Sequence, residues 1–412
     1  MLLVVGAGAS VDFGMPSVAK VGEILSLMAQ QRFPLQSDSS TNLYDRVAQE
    51  IESYWATVSK PGLARKPHFE NTLYGLLVLS SAYPNGIFTS PLGGLVVPKP
   101  LPDVRWFGRT DTKVDESVLS NLITDCADTI IDEFRHRCRD LAVSRAAELG
   151  QMRLFLAELA AEFDVAVITL NYDDVVYRCS PGISVTGFAA DGRFDDQPIF
   201  ERRSWPCCLH LHGSVHFDMQ IEGNDLHAIY WRENLSGSFS QNAGGRSSVY
   251  SDEGVIFPQS VIVAGHGKTS QILRRPFRTY YSEVDRLVTS SDALLCLGYG
   301  VGDEHLNLAL ASYRDARNRP VVLIDWAERG QMTAAHADMD DPRRAVLSAM
   351  DTLATDSRDM SAMGHSAPTE VDDLLDTRSF DLCTNSATPL AIWYNGMLEA
   401  CRHPAQVLHY LR

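Results

Sequence analysis

Short apolar runs, each ending in a turn, recur along the chain at Leu2 to Val5, Val165 to Leu170, Cys207 to Leu211, Val261 to Ala264, Ala293 to Leu297 and Val321 to Ile324. Several are apolar throughout rather than alternating, the pattern of strands covered on both faces, so they predict a mostly parallel sheet with helices on either side. Helical spacing occurs between or beside them at Val18 to Met28, Leu119 to Ala160 and His305 to Tyr313. The stretch from Val5 to Val165 is far longer than a crossover helix needs, and its periodic segments predict a large, mostly helical insertion.

That insertion contains Phe69-Glu70-Asn71 and a mixed charge run from Asp132 to Asp140, which reads as a solvated helix face. From Gln331 to Arg378 the chain is rich in Asp, Ala, Met, Ser and Thr with weak periodicity, as in a surface excursion. Helical spacing returns at Ala391 to Arg402, a segment able to dock on a neighbour, and no fixed-period repeat occurs.

The first strand runs directly into Gly6-Ala7-Gly8-Ala9-Ser10. A buried strand feeding a glycine turn and a helix start suits phosphate binding, because glycine lets the backbone approach a ligand and amides at a helix start point towards negative charge. The third glycine of the usual dinucleotide fingerprint is replaced by Val11, and no acidic residue marks an obvious second strand end about 20 residues on. An ordinary Rossmann dehydrogenase is therefore disfavoured, and a tight turn without a ligand is the plain alternative.

At 412 residues and 45% hydrophobic content the chain can bury one large core or two moderate ones. A formal charge of −16 argues against a broad grip on nucleic acid, with Arg274, Arg275 and Arg278 as a possible local basic patch. The apolar start is too short for a signal-peptide core and no 18-residue apolar run occurs, so a cytoplasmic location without membrane contact is expected. Eight scattered cysteines without Cys-x-x-Cys spacing favour reduced thiols and predict no zinc site.

Chemistry-bearing side chains gather at strand ends. The second strand ends in Thr169-Leu-Asn171-Tyr-Asp173-Asp174, and the third delivers His210-Leu-His212-Gly213-Ser214. Ligands of open α/β sheets bind at that edge. Singly, Asn171 and Asp173 read equally well as a helix cap or turn, and His212 as a loop histidine. Two other clusters read as decoys: Ala264-Gly265-His-Gly267-Lys268-Thr269 has Ile262 where a complete phosphate loop needs glycine, and Asp303-Glu304-His305 reads as a helix N-cap.

Taken in order, Gly6-Ala-Gly8-Ala-Ser10, Thr169-Leu-Asn171-Tyr-Asp173 and His212-Gly213 resemble the sirtuin superfamily, with Gly298-Tyr299-Gly300-Val-Gly-Asp303 and Leu323-Ile-Asp325 similar to its remaining nucleotide-contacting strand ends. Departures are specific. Gly14-Met15-Pro16-Ser17-Val18-Ala19 stands where protein-deacylating members have Gly-Ile-Pro-Asp-Phe-Arg, and their four-cysteine zinc module is missing. With its helical insertion the chain looks most like the sirtuin-like NAD hydrolases of bacterial antiviral defence, of the kind encoded beside a HerA-like translocase.

The resemblance implies an α/β, Rossmann-like domain over residues 1–30 and 161–330, a helical insertion over 31–160, and a carboxyl-terminal excursion and packing helix over 331–412. It implies an NAD glycohydrolase with NAD as substrate and no zinc, in which Asn171 and His212 are catalytic. Gly6, Ala7, Gly8, Ala9, Ser10, Asp173, Gly298, Tyr299 and Asp325 would hold the dinucleotide. It further implies a homo-oligomer and a HerA-like hexameric ATPase partner. The alternatives are an NAD- or ADP-ribose-binding sensor without turnover and a zinc-free protein deacylase.

Overall fold

The computed structural model describes residues 1–58, 66–83, 101–180, 182, 185–201, 206–222, 226–239, 248–250, 256–265, 268–314, 318–334, 342–353, 370–383 and 388–412. Seven strands form its main sheet: β1 (Leu2–Val5), β2 (Ala166–Thr169), β3 (Cys207–His210), β4 (Leu294–Leu297), β5 (Val321–Ile324), β6 (Asp381–Cys383) and β7 (Leu390–Trp393). Their spatial order is 6-7-5-4-1-2-3, and every neighbouring pair is parallel except the edge pair β6 and β7. Leu2 faces Ala166 on one side and Leu294 on the other.

Every residue of β1 to β5 is buried, which alternating strands with one wet face would not allow. Each fully buried Leu or Val contributes about 1.5–3 kcal/mol relative to exposure, so these runs select the sheet centre. The chain leaves β1 for β2 on one side and later crosses to β4 on the other. The turns after β1 and β4 therefore lie side by side at the switch point, where open α/β sheets form their ligand crevice.

Five of the six apolar runs are strands of this sheet. The sixth, Val261 to Ala264, is a buried strap with one bridge, Ile262 to Gly213, and no ladder. The helical spacing read at Ala391 to Arg402 gives way at its start to β7, which is fully buried between β5 and β6, with only the short helix Met397–Ala400 following. Burial on both faces erases the alternation that separates a strand from a helix. The carboxyl-terminal stretch thus supplies two strands to the sheet as well as the packing helix Pro404–Leu411.

Between β1 and β2 lie the helices Val18–Arg32, Leu43–Val58, Phe69–Ala82, Glu116–Ser144 and Ala146–Glu162, with one small hairpin, Val104–Trp106 and Arg109–Thr112. The helix read from Leu119 to Ala160 breaks at Arg145. Its charge run is only partly solvated. Arg135 is buried and donates from Nε to the Val215 carbonyl at 2.9 Å and from a terminal nitrogen to the Phe217 carbonyl at 2.6 Å. Arg137 donates to the Gly14 carbonyl at 2.7 Å. Positions 135 and 137 lie on different faces of the helix, and each meets loop carbonyls that need donors, so these two arginines fasten the helix to the segments that follow β3 and β1.

The arginines near residue 275 do not form a free basic patch: Arg275 pairs with Asp196 at 2.9 Å, and the Arg274 guanidinium is buried 5.5 Å from the centre of the Phe277 ring. Among the described residues no helix is long and apolar enough to cross a membrane.

Candidate active site

At the switch point a cleft of about 390 Å³ opens over the carboxyl ends of the central strands, within the usual size of a small-molecule site. Its floor is backbone. The Gly6 amide donates to Leu297 at 2.9 Å and the Gly8 amide to Gly298 at 3.0 Å. A Cβ on Gly6 would lie 2.6 Å from the Gly298 oxygen and 2.7 Å from the Tyr299 Cα. Gly298 has φ +54°, and a Cβ there would overlap the Gly8 and Ala9 backbone. All three glycines are thus required for two loops to pass within van der Waals distance of each other.

Of the eleven residues expected at the site, nine line the cleft: Gly6, Ala7, Gly8, Asn171, Asp173, His212, Gly298, Tyr299 and Asp325. Ala9 and Ser10 are buried behind it. The Ala9 amide is spent on the Gly6 carbonyl at 3.0 Å. Ser10 instead ties the side chains together. Its hydroxyl donates to Asp173 Oδ1 at 2.9 Å and accepts from Asn171 Nδ2 at 3.0 Å, and Asn171 Nδ2 also donates to the Gly6 carbonyl at 2.9 Å. Asp173 Oδ1 further accepts from the Val175 amide at 3.0 Å. These partners are neutral, and burial outweighs them, so the Asp173 carboxyl is pushed up to about 6.

His212 sits in the turn that follows β3, two residues past its end, and Gly213 follows with φ +102°. A Cβ on Gly213 would lie 2.9 Å from the Ile262 Cα, so the His-Gly pair exists because the Val261 to Ala264 strap crosses there. The strap's Val263 amide donates to the His212 carbonyl at 2.9 Å. His212 Nε2 meets Asp303 Oδ2 at 2.8 Å, with both side chains buried. The same oxygen receives the Lys268 ammonium. Burial would raise the Asp303 carboxyl, but the hydrogen bond and charge of His212 with the charge of Lys268 hold it well below the ordinary carboxylate range. An ionised Asp303 can only accept, so in the neutral form of His212 the proton sits on Nε2, towards Asp303, and the lone pair on Nδ1.

Asp303 and Lys268 line the cleft beside His212 and do not appear among the eleven expected site residues, although Asp303 closes the Gly298 to Asp303 motif. Asp303 is indeed an N-cap, its Oδ1 accepting from the Leu306 amide at 2.8 Å, and its second oxygen is the histidine's partner. Nothing in the local pattern distinguishes an N-cap with that second duty. Lys268 opens the helix Lys268–Ile272 and enters the cleft through a contact 35 positions away, while residues 266–267 of the phosphate-loop decoy lie outside the described residues.

The remaining walls come from other elements. Tyr299 donates to Asn307 Oδ1 at 2.6 Å, bracing the turn after β4. Asp325, past β5, accepts from the Trp326 amide at 2.8 Å and pairs with Arg343 at 3.2 Å. The insertion supplies the outer wall: Phe134 stands edge-on to Tyr172 with ring centres 5.5 Å apart, and His68, Phe69 and Glu70 close over the opening. The described residues hold no group of three or more His, Cys, Asp and Glu suited to a metal ion, and all eight cysteines are buried.

No curated protein matches the chain. Solved structures to which it is similar include a mutant Sir2 homologue in complex with ADP-ribose, at 12% identity over 85% of this chain and 89% of that one with a TM-score of 0.33. Another is a Sir2 homologue in complex with NAD, at 10% identity over 85% of this chain and 87% of that one with a TM-score of 0.30. Residues 165–351, which run from β2 past β5 and include Asn171, Asp173, His212 and Asp303, match the SIR2-like domain family.

Proposed function

We propose that this chain is an NAD glycohydrolase that binds NAD across the sheet edge and cleaves it to nicotinamide and ADP-ribose. The observation that carries this reading is the convergence of Asn171, Asp173 and a carboxylate-held His212 beside the Gly6–Gly8 turn in one cleft. The pyrophosphate lies over exposed Ala7 and Gly8, where no bulky side chain intervenes. Because the Gly8 and Ala9 amides are already engaged, close approach matters there more than those two donors.

Asn171, Asp173 and His212 follow β2 and β3, which favours the nicotinamide riboside on that side of the turn and the adenosine on the side of Asp325. Cleavage breaks the bond between C1′ and the ring nitrogen, whose electron pair leaves with nicotinamide, and builds oxocarbenium charge at C1′. Asp173 Oδ2 receives the carboxamide. Asn171, its Nδ2 fixed by Gly6 and Ser10, turns Oδ1 to a water or ribose hydroxyl. His212 Nδ1 takes the water proton, and Asp303 stabilises the imidazolium that results.

On the same reading residues 31–160 are an insertion roofing a sirtuin-like unit, and the protein is an NAD-depleting effector of antiphage defence. It assembles as a homo-oligomer with a HerA-like hexameric ATPase. The insertion's paired helices expose Tyr54, Val58, Tyr74 and Val78, a surface suited to such assembly. The test is nicotinamide release from NAD by the purified protein, alone and with the ATPase. Asn171→Ala and His212→Ala are each expected to abolish release while the circular-dichroism spectrum is retained. Folded protein that releases none in any assembled state overturns the proposal.

A further inference from the structure

Four carboxylates line the cleft among the described residues. Three are engaged: Asp173 with Ser10 and the Val175 amide, Asp303 with His212 and Lys268, and Asp325 with Arg343 and the Trp326 amide. The fourth, Glu70, comes from the segment between β1 and β2 and makes no hydrogen bond or ion pair with another of the described residues. It is half-buried in the first turn of the helix Phe69–Ala82, whose start is fixed by the His68 amide donating to Asn71 Oδ1 at 3.1 Å.

Its placement over the reactive side is built into the backbone. Gly265 has φ +80°, and a Cβ there would lie 2.8 Å from both the Cα and Cβ of Glu70, so the two segments touch through a position that only glycine fills comfortably. Gly265 continues the strap whose Val263 amide holds the His212 carbonyl and whose Val263 carbonyl accepts the Tyr172 hydroxyl at 3.2 Å. One strap therefore fixes Glu70, Tyr172 and His212 relative to one another. The charge of Glu70, after burial, also helps hold the Tyr172 hydroxyl above its ordinary range, which places the carboxylate near that ring.

We infer that Glu70 is the carboxylate that faces the cationic nicotinamide riboside and takes up the positive charge arriving at C1′ as the glycosidic bond breaks. The inference rests on the glycohydrolase reading and names a group that reading does not use. The ring of NAD is positive before cleavage and leaves as neutral nicotinamide, so the charge moves to C1′, and an ionised carboxylate held in a water-poor cleft stabilises it there. Water then bonds to C1′ and yields its proton to His212. Asp303 cannot serve, because its Oδ2 is already taken by His212 Nε2 and the Lys268 ammonium and its Oδ1 by the Leu306 amide. Asp173 cannot serve, because its Oδ1 is taken by the Ser10 hydroxyl and the Val175 amide and its Oδ2 is assigned to the carboxamide. Asp325 lies on the adenosine side.

Two measurements test this. In nicotinamide release, Glu70→Gln is expected to lower kcat about 100-fold, with Glu70→Asp recovering part of the loss. In a His212→Ala background, where no NAD is consumed, binding of NAD is compared with that of NADH, whose reduced ring is neutral. Adding Glu70→Gln is expected to lower the NAD-to-NADH affinity ratio several-fold while ADP-ribose binding stays within about twofold. Retained ADP-ribose binding shows that the variant folds. A kcat within about threefold of the parent overturns the role at C1′, and an unchanged affinity ratio overturns the placement. If the parent releases no nicotinamide, the glycohydrolase reading has failed, and the affinity ratio alone decides where Glu70 sits.

Discussion

Asp173 and Asp303 are the same residue type, buried in the same cleft, and their environments drive them in opposite directions. Asp173, past β2, is surrounded by a serine hydroxyl, a backbone amide and an asparagine network, and its carboxyl rises to about 6. Asp303, past β4, meets an imidazole and an ammonium, and its carboxyl is held far down. Burial acts the same way on both, so the nearby charge decides. One region is thus arranged to accept or share a proton, the other to stay ionised and orient a base.

The largest effect expected from breaking this contrast is Asp303→Asn. Asparagine keeps the N-cap but no longer selects the His212 tautomer, and nicotinamide release should fall about 10²–10⁴-fold. ADP-ribose binding checks that the cleft survives. A variant as active as the parent would make the two acids functionally alike.

Next comes Asp173→Asn, read through stability rather than rate. A native carboxyl at about 6 against its ordinary 3.8 holds its proton more tightly when folded, so this residue favours the native state at low pH. That advantage, about 3 kcal/mol, is lost as the pH rises from about 4 to about 6. Asp303 works in the opposite sense: its contribution is present above the ordinary carboxylate range and disappears as the pH falls below it. Urea unfolding of Asp173→Asn and parent between pH 4 and 7 should show the variant gaining relative stability with rising pH. Parallel curves would deny Asp173 its raised value.

The smallest effect is expected from Lys268→Met. It removes the ammonium from Asp303 and leaves the His212 bond, so turnover should fall about tenfold. A loss as large as that of Asp303→Asn would mean that the lysine, rather than the histidine, is what Asp303 serves.

Much of this architecture was legible in the sequence because buried parallel strands leave unbroken apolar runs, as Leu2 to Val5 and Val321 to Ile324 do, and because glycines mark where loops must pass closely. Asn171 and His212 were legible for a related reason: each follows such a run directly, at the sheet edge where ligands bind. What stayed hidden depends on distance along the chain. Asp303 reads as a cap because it is one, and its second oxygen finds His212 across 91 positions. Lys268 and Glu70 reach the cleft from segments whose local patterns describe only helix starts. The start of the helical spacing at Ala391 is instead part of the strand Leu390–Trp393, because burial between two strands removes the periodicity that would identify it.

Gly6, Gly8 and Gly298 have a mechanical consequence. The loops after β1 and β4 occupy each other's would-be side-chain space, so neither can shift without carrying the other, and the floor of the cleft behaves as a single stiff plate. Accommodation of a substrate therefore falls to the opposite wall, where the helix bearing Glu70 leans on the strap behind His212. A displacement of the helix Phe69–Ala82 would therefore move Glu70 over the cleft while the glycine floor stayed in place.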